Sequence, residues 1–171
     1  MKGVILRCLQ EMVENRYGKD VWEEALKKAD VEDLKVLPVD NIDDSIALAI
    51  FKNLCEITGE GVQGIAEEFG RYWINVYSQR LYKTFYNESD TAMDFILKID
   101  EIHQIMTKNI GTNPPRFKYE WKDDRTLLMK YKSRRNLIDL AVGLLKGVAE
   151  YYGEDIQIRK IDENNIEIRF G

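Results

Sequence analysis

Residues 113–135 read NPPRFKYEWKDDRTLLMKYKSRR, and the hydrophobic period of the chain changes inside this stretch. Pro114-Pro115 cannot continue a helix, because proline lacks the N–H and drives the preceding residue to an extended conformation. After them Phe117, Tyr119 and Trp121 alternate with polar residues, the spacing of a half-buried strand. RTLLMKYKS (125–133) reads as a second strand, and Asp123-Asp124 suits a hairpin turn between the two. Upstream the spacing is helical. Ile5, Leu9, Met12 and Val13 share one face of a helix over 3–16. KDVWEEALKKA begins a second helix, with Asp20 as N-cap and Glu23 three residues on. IDDSIALAIFKNLCEITG (42–59) starts on an aspartate and stops at Gly59. Residues 61–86 continue helical, with Gly70 a break or a close-packing point. SDTAMDFILKIDEIHQIMTKNIG (89–111) is the clearest helix, capped by Ser89 or Asp90 and ended by Gly111. Downstream, NLIDLAVGLLKGVAEYYG (136–153) is amphipathic and helical. DIQIRKI (155–161) and NIEIRF (165–170) alternate strictly about the polar turn DENN. The expected class is α+β: a helical N-terminal part, then an antiparallel four-stranded sheet with a packed helix.

The 171 residues are 44% apolar and carry a net charge of −5. That balance speaks against nucleic acid or an anionic membrane as the main partner. Cys8 and Cys55 are far apart and form no CxxC or Cys/His cluster, so buried free thiols in a reducing compartment are expected, and structural zinc is not. The N-terminal apolar run is interrupted by Arg7, Gln10 and Glu11, unlike a signal peptide, so a cytoplasmic location is expected. No Ser/His/Asp triad, phosphate loop or metalloprotease motif occurs.

His103, in DEIHQIMTK (100–108), is the only histidine. Ile96, Ile99, His103, Met106 and Ile110 are spaced three, four, three, four, so the imidazole points where isoleucines point. Two readings stand: a core histidine hydrogen-bonded to a neighbour, or a ligand. A conventional metal site needs several converging ligands, whereas a haem supplies four nitrogens itself and asks the protein for one. Tyr131, Ser133 and Arg135 follow at i, i+2 and i+4, which in an extended chain is one face. Two hydroxyls and a guanidinium suit two carboxylates such as haem propionates. A solvated strand end has the same composition.

These segments, with the opening MKGVI, FGRYW, PPRF and GLLKG, resemble the haem–nitric oxide/oxygen binding (H-NOX) family over the whole chain. YxSxR is matched in full by Tyr131, Ser133 and Arg135. The resemblance implies a single H-NOX domain, with a helical subdomain over about 1–60 and a haem-carrying subdomain over about 61–171. It implies a non-covalent b-type haem with His103 on the iron, the YxSxR residues on the propionates, Pro115 against the porphyrin, and Ile5 and Leu144 lining the pocket. Gly70 and Gly143 match positions proposed as pivots. On the distal side, family members that bind O2 carry a tyrosine where this chain has Leu140, and Leu9 is also apolar. Trp73 and Tyr77 lie on the same side and carry the N–H and O–H that could substitute, though aromatic packing is the preferred reading. The implied function is a sensor of NO and CO that excludes O2. It signals by weakening of the Fe–His103 bond to a partner in trans, such as a sensor histidine kinase or a diguanylate cyclase/phosphodiesterase. The alternatives are an O2-binding member or gas carrier, and a cofactor-free interaction module. A haem peroxidase is disfavoured, since no second histidine remains for distal acid–base work.

Overall fold

The computed structural model describes residues 1–108 and 113–171. Their order is α1 (Gly3–Arg16), α2 (Lys19–Lys28), α3 (Asp44–Thr58), α4 (Gly61–Tyr72), a π-helical turn (Trp73–Tyr77), α5 (Gln79–Asn87), α6 (Ala92–Thr107), β1 (Arg116–Trp121), β2 (Thr126–Lys132), α7 (Ile138–Tyr152), β3 (Gln157–Asp162) and β4 (Asn165–Arg169). The four strands form one antiparallel sheet in the order β1-β2-β4-β3. The α+β class read from the periodicity is the class observed. No helix among the described residues is long and apolar enough to cross a membrane.

Two apolar cores result. Leu6, Leu9, Met12 and Val13 of α1 meet Trp22, Ile50, Leu54, Ile65 and Phe69 in one. Phe95 and Ile96 of α6, the inner faces of β2 and β4, and Ile138, Leu145 and Val148 of α7 form the other. The helices α4 and α7 cross between them at backbone contact. A Cβ on Gly70 would lie 2.0 Å from the Gly143 carbonyl carbon, and one on Gly143 would lie 2.1 Å from the Ala66 oxygen. Only a residue without a side chain permits that approach. Lys146–Glu67 and Arg71–Glu150 (2.7 Å) tie the same pair of helices from their outer faces.

Several local expectations are corrected. The helix over 61–86 is not continuous, and its break lies after Gly70. Ser78 N–H bonds to the Trp73 carbonyl five residues back (2.8 Å), which widens one turn into a π-helix, and Tyr82 leaves helical geometry with φ −132°. Of break and close-packing point, Gly70 is the second. Asp20 does not cap α2. Gly18, at φ 100°, turns the chain into a helix that begins at Lys19, and Glu23 pairs with Lys19 instead (3.2 Å). Neither Ser89 nor Asp90 caps α6. Thr91 does, accepting from Asp94 N–H at 3.1 Å, while Ser89 is buried near Lys98. The aspartate start of α3 holds, with Asp43 accepting from Ser45 N–H (2.7 Å), and so does its stop at Gly59 in the left-handed region. Ile110 and Gly111 fall outside the described residues. Cys8 is buried, which pushes its thiol pKa up, and Cys55 is half-buried.

Candidate functional site

His103 sits in the last two turns of α6, its ring 5.7 Å from that of Phe117 on β1. Phe117 in turn lies 5.8 Å from the Tyr131 ring on β2. The cross-strand pairing Phe117↔Tyr131 makes this possible, since paired residues project to the same face. Burial lowers the histidine pKa, and the Asp100 carboxylate and the Pro115 carbonyl offset part of that. The ring is therefore neutral at neutral pH, as a ligand must be. Its Nδ1 is buried without a partner among the described residues, and so is Nε2 of the adjacent Gln104. A buried polar atom left without a partner calls for an explanation. A nitrogen lone pair aimed at an iron is one.

The low histidine pKa has a consequence for stability. The unfolded chain takes up a proton near pH 6.5, before the folded chain does. In the haem-free protein this contribution is present above about pH 6.5 and is lost as pH falls through the lower folded value. Urea midpoints measured from about pH 7 down to about pH 5 should show it, and a His103→Gln chain should lack that part of the slope.

Tyr131, Ser133 and Arg135 are brought together, though not as a strand face. The strand β2 ends at Lys132, and Ser133 and Arg135 lie in the turn that leads to α7. The Tyr131 hydroxyl accepts Leu137 N–H (3.0 Å), and the Ser133 hydroxyl accepts Arg135 N–H (3.2 Å). Each thus serves the backbone as an acceptor and keeps its own proton to donate, the form a carboxylate needs. Arg135 donates through Nε to both oxygens of Asp44 on α3 (2.9 and 2.8 Å) and through Nη1 to the Asn113 carbonyl (3.0 Å). Asp44 also receives the Met1 ammonium at 2.6 Å. Burial would raise the Asp44 pKa, but these two cations hold it below the usual carboxylate range. Pro115 is half-buried beside His103.

The distal residues gather elsewhere. Ile5, Leu9 and Leu140 line a small cleft of about 60 Å³, partly open to solvent, with Phe51, Val62 and Phe69 among its other walls. Its polar side chains are Asp139, engaged by Lys160 at 3.2 Å, and the exposed Asn136. Leu144 is half-buried and packs against both cores, as Trp73 does. Tyr77 is buried, with its ring stacked 5.7 Å from Trp73. It lines a second groove, with Arg7, Glu11 and Arg80, on the far side of α1. Neither Trp73 nor Tyr77 is among the residues that line the cleft around Leu140, though both belong to the core behind it. Among the described residues no group of three or more His, Cys, Asp or Glu side chains could hold a bare metal ion. A single imidazole, two free hydroxyl protons and a guanidinium beside apolar walls do fit a haem.

Sequence reasoning missed Asp100, Asp44 and Asn113. Asp100 accepts Phe117 N–H at 2.7 Å and both Arg116 nitrogens at 3.0 Å. Burial alone would raise its pKa, and those partners hold it down. Its place one turn before His103 was the available signal. Asp44 and Asn113 left none, since they meet Arg135 across 91 and 22 residues of chain.

Comparison with known proteins follows the same direction. The chain is 26% identical over 169 residues to soluble guanylate cyclase 89Da of Drosophila melanogaster, covering 96% of this chain and 25% of that protein. It is 25% identical to soluble guanylate cyclase gcy-35 of Caenorhabditis elegans, covering 98% and 25%. It therefore spans about a quarter of the length of these relatives. Among solved structures it superposes on an oxygen-binding H-NOX domain related to soluble guanylate cyclases, with TM-score 0.83, 29% identity, and 99% and 95% of the two chains covered. An I5F mutant of the T. tengcongensis H-NOX gives TM-score 0.85, 28% identity, and 99% and 97% coverage. Residues 2–160 match the family model described as Haem-NO-binding, and the chain belongs to that family, the H-NOX domains, a family of haem-based gas sensors related to soluble guanylate cyclases.

Proposed function

We propose that this domain holds a non-covalent b-type haem and senses NO, and CO with it, while excluding O2. When bound, the haem supplies a ferrous iron with one face open to a diatomic gas. His103 would hold the iron from α6. Tyr131, Ser133 and Arg135 would hold the propionates, Arg135 sharing its guanidinium with Asp44. Pro115 would press on the porphyrin, and Ile5 and Leu144 would close its edges. The observation that carries the gas preference is the apolar wall of Ile5, Leu9, Phe69 and Leu140, whose side chains have no proton to share, while Asn136, the amide donor of the same cleft, is exposed to solvent. Tyr77 faces the Arg7 and Arg80 groove instead. O2 depends on such a donor far more than NO does.

The response follows from where His103 stands. Its departure from the iron would free the end of α6 and let the helical part, about 1–60, shift against the part that carries the haem, about 61–171, with Gly70 and Gly143 as the joint. A cytoplasmic partner in trans, a sensor histidine kinase or a diguanylate cyclase/phosphodiesterase, would read the change. Visible spectra of the reduced protein under argon, NO, CO and air test this reading. Shifts with NO and CO, a five-coordinate NO spectrum and no oxy spectrum are expected. A stable oxy spectrum overturns the exclusion of O2. A chain without a Soret band after haem supplementation overturns the haem reading.

A further inference from the structure

The helices α6 and α7 pack on one face of the sheet. Phe117↔Tyr131 and Tyr119↔Met129 turn to that inner face, where the Tyr119 hydroxyl donates to the Ile96 carbonyl of α6 (2.8 Å). The residues between them turn outward, since side chains alternate along a strand. On the outer face stand Arg116, Lys118, Lys130, Lys132, Arg159 and Arg169, all exposed. Two carboxylates share it, Glu120 and Glu167. The face thus carries a surplus of positive charge on a chain whose net charge is −5.

Four of these cations are neighbours. Arg116 stands directly opposite Lys132, and Lys118 opposite Lys130, in consecutive outward rows of the β1–β2 ribbon. Like charges so placed weaken a sheet. Asp100 takes Arg116, and Glu120 takes Lys130. Lys118 and Lys132 have no carboxylate partner among the described residues, and 109–112, which read NIGT, contain no acidic side chain. Lysine often guards an exposed strand edge against pairing with another chain. That accounts for Lys118 on the edge strand β1. It does not account for Lys130 and Lys132, because β2 lies between β1 and β4. The ribbon holds a repulsion that neither its folding nor its edge explains.

We propose that this outer face is a docking surface for an acidic segment of a protein partner, with Lys118 and Lys132 as its recognition charges. Charge complementarity gives the sign of the occupant, and the size of the patch gives its class. Three inter-strand spacings of about 4.8 Å make the face roughly 15 Å wide. A membrane or a DNA duplex presents negative charge well beyond that width, against the acidic remainder of the chain. The outward strand positions carry no aromatic side chain on which the bases of a single strand could stack. A short run of Asp and Glu engages the cations alone. Phe117 and Tyr131 lie on the front of the ribbon whose back bears the four cations, so the docking surface backs onto the site of His103. The inference goes beyond the gas reading and stands without it, since the face belongs to the polypeptide.

Anisotropy of a short fluorescein-labelled oligoglutamate, titrated with the haem-loaded chain, tests it. Vesicles of phosphatidylserine in phosphatidylcholine and a short DNA duplex are titrated beside it. The oligoglutamate is expected to bind, and to bind less as salt rises. Lys118→Gln with Lys132→Gln should weaken it about tenfold. Lys27→Gln with Lys83→Gln, at exposed positions of α2 and α5, removes the same charge and should leave the affinity within about twofold. The first pair should also melt at or above the wild-type temperature, because each change removes one of two opposed like charges. No binding by the wild type overturns the proposal, as does no loss in the first pair or an equal loss in both. Tighter binding to vesicles or duplex than to oligoglutamate overturns the choice of a protein partner. A lower melting midpoint in the first pair overturns it too, since the lysines would then serve the fold.

Discussion

A chain carrying His103→Ala is expected to hold haem about 100-fold more weakly or worse, beyond the range seen when only a supporting residue of a metal ligand is lost. No second histidine exists to take over, and no cluster of other ligands stands among the described residues. Tyr131, Ser133 and Arg135, the proposed partners of the propionates, would remain, so the loss would be of the bond to iron and not of the whole pocket. Haem titration of wild-type and variant apoproteins measures it. Added imidazole should restore a five-coordinate ferrous spectrum in the variant, because the space left beside Phe117 and Pro115 matches the missing ring. An unchanged titration would mean that the iron is held from elsewhere and that Nδ1 of His103 is an orphan for another reason.

The second large effect is structural. Gly143→Ala places a methyl group 2.1 Å from the Ala66 carbonyl oxygen, a backbone atom that no rotamer change can move. The helices α4 and α7 must separate, and the two ion pairs across them and the apolar contacts of both cores go with that movement. Overpacking of this kind costs about 1–3 kcal/mol, occasionally more. At this length that lowers the thermal midpoint by roughly 2–12 °C. A melt of the haem-free protein reads it directly. Gly153→Ala is the control, since nothing lies within 4 Å of its added carbon. Its φ of 66° lies in the left-handed region, so a loss of about 1–2 kcal/mol from backbone strain alone is expected there, with no helix seam disturbed. Equal melts for wild type and Gly143→Ala would show that the seam is looser than its geometry.

What could be read in advance divides along physical lines. The helices and all four strands announced themselves, because burial on one face imposes a period on the sequence. His103 and the YxSxR residues were visible as rare chemistry at fixed spacing. Their arrangement was not: Ser133 and Arg135 reach the site from a turn, since β2 ends at Lys132. The caps at Thr91 and Gly18 were misplaced because several polar residues compete at each helix start and only tertiary contacts choose among them. Asp44, Asn113 and Tyr119 act over long sequence separations, for which one sequence holds no periodic trace.

The π-helical turn at Trp73–Tyr77 bears on how this chain tolerates changes of length. A hydrogen bond that reaches back five residues takes up one residue more than the helices on either side. The turn thereby absorbs one residue, and α5 stands about where an unbroken helix one residue shorter would place it. A single deletion within Trp73–Tyr77 is expected to restore regular bonding while leaving Arg80 on Glu11 and Tyr86 against Phe95 and Tyr151. A deletion in a regular stretch of α4 has no such slack and turns everything beyond it by about 100°.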